Sequence, residues 1–359
     1  MENALAASRR SLFAPLRAIS KKRILEIDIL RAAAILLIVL YHAPLSTIAD
    51  VSTTVTSYPL ELVGFLGVSI FFFVSGFSLY ISHRTISNRD DALSFYKKRM
   101  VRIYPLYWVF VVGILIFYRP SYVESVIYVA GLQALLYPVF ITSDIYHFVS
   151  VILVFYLLFP LLVFFDDYKK LIVVSLIPFV FFAAMQLIGL SDPMFLRYYG
   201  LFVAGIIVGK TDVYGKIRQA KFKRYFIFTI PVMGALLALW LASAERYFNS
   251  LILWAFLSNL FGIVIACGIL YWACVYVTAS RTKRYAFFTF VAFSTFGAYF
   301  INTPFFDLLR KTLFLRFDIA GTGATAILVA FIPFIVITGY LLQFVTNKVT
   351  SFPRINQKQ

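Results

Sequence analysis

The sequence predicts an all-α polytopic membrane protein: a bundle of about ten transmembrane helices with one re-entrant or interfacial segment at 121–140. Three observations carry that expectation. Apolar residues make up 62% of the 359-residue chain and charged ones 14%, with a mean hydropathy of +0.88; soluble domains are about 45–50% apolar and about 25% charged. Stretches long enough, or nearly so, to cross a hydrocarbon core of about 30 Å recur from end to end. Lys and Arg cluster in alternate connections, as they do in loops kept on the cytosolic side.

Residues 1–23 are basic (Arg9, Arg10, Arg17, Lys21, Lys22, Arg23), with no contiguous apolar core and no small-residue cleavage pattern, so a retained cytosolic tail is expected. A transmembrane domain is expected over 24–346 and a second cytosolic tail over 347–359. The first apolar stretch, 29–45, contains Arg31 and His42. Eleven steps of 100° bring both onto one helix face about 16 Å apart. The second, 61–81, reads GFLGVSIFFFVSGFSLY, where Gly64, Gly67 and Gly76 with Ser69 and Ser75 permit close helix approach. The third, 101–118, follows the basic run SFYKKRMVRIYPLYW. The stretch 121–140 holds Glu124, Gly131, Gln133 and Pro138 and is the most polar candidate. Then come 147–165, 171–189 and the short 196–209, about 21 Å if helical, where Gly205 and Gly209 offer close packing. The remaining stretches are 225–243, 251–277, 285–306 and 322–345.

All the basic connections fall on one side only if 121–140 does not cross. With that choice there are ten crossings and both termini are cytosolic. The cytosolic side then carries 27 of the 33 Lys and Arg, and the outer side is nearly balanced. The net charge of +17 thus reflects topology and gives no reason to expect a nucleic-acid partner. Arg310, Lys311 and Arg316 beside Asp307 and Asp318 are an outer basic group that suits either an anionic lipid or substrate or simple interfacial snorkelling. Cys267 and Cys274 have no His or carboxylate at ligand spacing, so no metal site is expected and the thiols read as small packing residues.

Ionisable groups at membrane depth are costly, roughly 2.5–3.5 kcal/mol for Arg on insertion scales, and usually face a protein interior or a wet cavity. Arg31 and His42 are such groups. Arg31 has Asp28 one turn before it, so a local ion pair is the alternative there. Arg99 and Arg102 share a face at the cytosolic mouth of the third crossing, beside Lys97 and Lys98. Guanidinium forks grip phosphate oxygens, but basic residues in that place also fix topology, and both readings stand. His147 opens the fourth crossing at the outer side, and His83 lies just beyond the cytosolic end of the second.

Taken together, these residues resemble the acyltransferase-3 family of integral membrane O-acyltransferases. The likeness rests on LRAAAILLIVLYHA, GVSIFFFVSGFSLY, FYKKRMVRIYPLYW and HFVSVILVFYLLFP in that order, with FSTFGAYFINTP as a fifth block, and it spans roughly residues 25–345. The resemblance implies transfer of an acyl group, acetyl being the expected one, from cytosolic acyl-CoA to a hydroxyl of an extracytoplasmic glycan or lipid-linked saccharide at the plasma membrane. It implies His42 as the essential His, Arg31 as its paired Arg, and Arg99 and Arg102 as the basic pair that would bind the donor. His42 is then expected to act as the catalytic base, with Arg31, Ser75, His147 and Asn302 as supporting polar groups and Lys98 assisting at the donor site. Acyl-CoA is a substrate, and no bound cofactor is expected. The chain departs from the family pattern where many members have an acidic residue (here Ser69), a Trp (His147) and a His (Asn302). A lipid-linked saccharide transporter or flippase is the alternative from a different class, although no internal duplication of the kind such proteins often show is visible.

Overall fold

The computed structural model describes residues 24–48, 54–84, 88–137, 139–140, 146–165, 167–211, 213–219, 251–279, 285–314 and 321–355, with isolated positions between them. The predicted tail 1–23, nearly all of the stretch 225–243, the connection 281–284, Arg316 and Asp318 lie outside the described residues. Within them the chain is helical, with no strand: α1 (Leu25–Ile48), α2 (Thr54–Ser82), α3 (Arg89–Phe117), α4 (Tyr122–Ala130), α5 (His147–Val163), α6 (Tyr168–Leu187), α7 (Met194–Lys210), α8 (Val213–Arg218), α9 (Leu251–Ala279), α10 (Tyr285–Leu309), α11 (Gly321–Ala330) and α12 (Ile332–Ile355).

Six of these contain stretches long and apolar enough to cross a membrane: Glu61–Ser82, Arg89–Phe117, Tyr168–Leu187, Leu253–Thr278, Tyr285–Thr312 and Ile332–Thr350. Their outward faces are apolar, as lipid requires. Val109, Val112, Ile116 and Phe117 on α3 and Val173, Ile177 and Val180 on α6 are all exposed.

The expected exception at 121–140 is a broken element. Ser121 and Glu124 close a capping box at the start of α4, and Gly131, left-handed at φ 74°, ends it after nine residues. That is about 14 Å, under half a bilayer core. The chain then tucks against the start of α5: Gln133 Nε2 donates to the Tyr146 carbonyl at 3.0 Å and the Ala134 amide to Ser150 Oγ at 3.1 Å.

Two boundaries differ from the hydropathy reading. The connection 82–102 is mostly helix, because Asn88 caps α3 through its side chain (2.8 Å to the Asp91 amide) and Asp90 and Asp91 favour the positive end of the helix dipole. The basic residues 97–102 therefore ride on a rigid helix. The stretch 322–345 is interrupted at Phe331, since Pro333 has no N–H to offer and crowds the turn before it.

The bundle is built around α2. Its tightest partner is α7, and the row continues from α2 through α1 and α10 to α12. Backbone contact explains the α2–α7 closeness: a Cβ on Gly76 would fall on the Phe202 carbonyl, and one on Gly205 on the Phe73 carbonyl. Gly297 and Gly339 meet in the same way between α10 and α12. The expected packing role of Gly76 and Gly205 is met, and Gly209 lies against Tyr80. Aromatic rings fill the centre, with Phe72, Phe155, Phe195 and Tyr199 among the fully buried side chains. Arg197 adds a tie across three helices, its guanidinium 4.1 Å from the Trp254 ring and 4.6 Å from that of Phe65.

Candidate functional site

Between α1, α2, α3, α5, α10 and α12 lies a cavity of about 450 Å³, within the range of small-ligand sites. Each helix contributes by its spacing. From α2 come Ser75, Ser78 and Ser82, at three- and four-residue intervals on one face. From α3 come Arg99 and Arg102, three apart, and from α1 comes Arg31. Tyr156 of α5 and Thr295 of α10 close the sides, while Gln343 and Asn347, one turn apart on α12, face the same space. Phe71, Val74, Phe148, Ile152 and Phe296 make the rest of the wall apolar.

Two of the three guanidinium groups are held by named contacts. Arg31 Nη2 donates to Ser78 Oγ at 3.0 Å. Arg99 lies over the rings of Phe95 (5.4 Å) and Tyr156 (6.0 Å), and its Nη2 is 3.5 Å from His83 Nδ1. Burial, together with the Arg99 and Lys98 charges, holds the His83 imidazole below its ordinary value of 6.5. A neutral imidazole there can accept from Arg99. No Asp or Glu is among the described residues that line the cavity, so three guanidinium groups share it with neutral polar and apolar side chains. Such a pocket is chemically suited to an anion carrying a less polar extension.

The structure thus brings together Arg31, Ser75, Arg99 and Arg102 of the predicted set. Four predicted residues do not line this cavity: Lys98, His42, His147 and Asn302. Lys98 is one residue before Arg99 on α3. His42 lies near the far end of α1, half-buried, with Tyr41 edge-on at 5.0 Å. It shares that helix with Arg31, at a helical rise of about 16 Å. His147 is buried at the start of α5 and paired through Nδ1 with Asp192, just before α7. Asp192 Oδ1 also accepts from the Met194 amide at 2.7 Å at the first residue of α7, so the pair joins two helix starts. Asn302 is buried in α10, its Oδ1 accepting from Thr303 Oγ1 at 2.7 Å.

Ser69 is fully buried and its Oγ has no hydrogen-bond partner among the described residues. Cys274 is buried and Cys267 half-buried, both as free thiols, and no cluster of metal-ligating side chains occurs among the described residues.

Sequence reasoning missed Ser78, Tyr156, Gln343, Asn347 and the contact of His83 with Arg99. The Ser75, Ser78, Ser82 stripe was visible in the sequence as a polar face at helical spacing. Gln343 was visible too, as a neutral amide inside an apolar stretch. The His147–Asp192 pair left no local signal, since its members are forty-five residues apart.

A family model described as an acyltransferase domain matches residues 24–344, nearly the whole chain. No curated protein and no solved structure matches.

Proposed function

The chain belongs to the acyltransferase-3 family, and we propose that it moves an acyl group, acetyl in the first instance, from cytosolic acyl-CoA to a hydroxyl of an extracytoplasmic glycan or lipid-linked saccharide. The observation that carries the donor half is the cavity: Arg31, Arg99 and Arg102 line it, with no carboxylate among its described lining residues. In this reading Arg99 and Arg102, with Lys98 assisting, hold the phosphates of CoA, and the pantetheine arm extends between α1 and α2. The rise of about 16 Å along α1 from Arg31 to His42 suits such an arm.

The transfer step follows from the chemistry of a thioester and an alcohol. The acceptor oxygen attacks the thioester carbonyl carbon while its proton passes to the His42 imidazole. The tetrahedral intermediate then collapses, the C–S bond breaks, and the CoA thiolate leaves and takes up the proton from His42. Proton removal by a positioned His contributes typically about 10²–10⁴ in rate. Arg31, bonded to Ser78, is at the donor end of this path, and Ser75 and Asn302 are polar neighbours in the same reading. Membership of an acyltransferase family favours this account over a transporter that performs no acyl transfer.

Arg99→Ala combined with Arg102→Ala tests the donor site. Coenzyme A binding to the purified full-length protein should weaken by at least about 100-fold, since each charge-assisted hydrogen bond is worth about 1.5–3 kcal/mol. Unchanged affinity in a folded double variant would contradict the assignment.

A further inference from the structure

In the cavity that the guanidinium groups line, α12 presents two neutral amides inside its membrane-length stretch. Gln343 is only 7% exposed, and its Nε2 donates to Asn347 Oδ1 at 2.9 Å. Its other pole, Oε1, is buried and accepts no hydrogen bond among the described residues. Leaving a buried carbonyl unsatisfied is unfavourable, and none of the hydroxyl or guanidinium groups that line the same cavity donates to it. A helix that needed only to pack would carry a Leu at that position without loss.

The cavity lining therefore offers two chemistries. Arg31, Arg99 and Arg102 suit phosphate oxygens. An uncharged amide, with one pole already taken by Asn347, suits a ligand group that donates one N–H and carries no charge. The arm of coenzyme A contains two secondary amides, each with one N–H, attached to the phosphorylated nucleotide. We propose that Gln343, oriented by Asn347, is the positioning residue that recognises an amide of the pantetheine arm and so sets how the thioester enters the bundle. This rests on the acyl-CoA reading above and adds a residue outside the motifs that carry the family resemblance.

The test separates the two parts of the ligand. Binding of coenzyme A and of adenosine 3′,5′-bisphosphate, which has the nucleotide phosphates but no pantetheine, is measured on detergent-solubilised full-length protein. Gln343→Leu should weaken coenzyme A by about 3- to 10-fold and leave adenosine 3′,5′-bisphosphate within about 2-fold. In acyl transfer the same variant should raise KM for acyl-CoA more than it lowers kcat at saturation. Equal affinity for coenzyme A in the variant and the parent, or equal weakening of both ligands in a folded variant, would overturn the assignment. If Gln343→Leu loses its folded population, Asn347→Ala decides: it removes the group that orients Gln343 and should show the same selective weakening, and no selective effect overturns the proposal. A parent protein that binds neither ligand overturns the donor reading itself, an outcome distinct from failure at Gln343 alone.

Discussion

Arg99 illustrates how a single side chain is held at a cavity wall. Its guanidinium lies over Phe95 and Tyr156 and beside His83, so aromatic faces and a neutral imidazole hold it, with no carboxylate paired to it among the described residues. The His83 contribution carries a pH signature. Its imidazole is held below 6.5 in the folded protein, so below that value the unfolded chain binds the proton more readily. The stability tied to the neutral imidazole is present above pH 6.5 and is lost as pH falls through the lower folded value. Lowering the pH from about 7.5 to about 5 should therefore reduce the unfolding temperature more in the parent than in His83→Asn, which keeps an acceptor and does not titrate. Equal pH slopes would contradict that role. Arg31, Arg99 and Arg102 were legible in the sequence because a cation at or near membrane depth is costly and demands a reason. Gln343 gave a weaker signal, because a neutral amide inside an apolar stretch costs less than a cation and its partner Asn347 looks like an ordinary helix residue. His42 shows the opposite limit: its helix and end were readable, while its absence from the cavity wall depends on which way neighbouring helices turn.

Among the elements, the pairing of α2 with α7 sets the geometry of the rest. Gly76 and Gly205 let the two backbones meet, and α2 is then fixed so that its serine face looks into the cavity. Gly205→Val puts three carbons where the Phe73 carbonyl sits. Overpacking of a tight core costs typically about 1–3 kcal/mol and more where backbone must move. The variant should unfold at a clearly lower temperature in detergent and lose coenzyme A affinity with it, whereas Gly113→Ala, where an added Cβ meets nothing, should leave both unchanged. A Gly205→Val variant as stable as the parent would refute the close-contact account. At this scale the sequence was informative where composition and charge agreed, as at 121–140, whose polar residues and charge parity both argued against a crossing. It misled where hydropathy alone was used. The start of α3 lies twelve residues ahead of its apolar stretch, because a cap and an acidic first turn do not register as hydrophobicity. Pro333 divided a stretch whose apolar character is continuous.

For the whole molecule, charge distribution and cavity position describe one arrangement. Arg31 near the start of α1, Ser82 at the end of α2 and Arg99 and Arg102 in the first half of α3 all reach the same cavity. These ends belong to the side that the Lys and Arg pattern assigns to the cytosol. His42 lies toward the opposite end of α1, so the proposal separates donor recognition from proton transfer along one helix. The central claim is acyl transfer across that length, and the most direct measurement is the passage of radiolabel from [14C]acetyl-CoA to glycan or glycolipid in sealed vesicles, with the donor supplied on the cytosolic face. The account predicts label on the acceptor with the parent protein and at least about a 100-fold slower transfer with His42→Ala at equal protein level and equal coenzyme A affinity. No label with the parent, or undiminished label with His42→Ala, would contradict it.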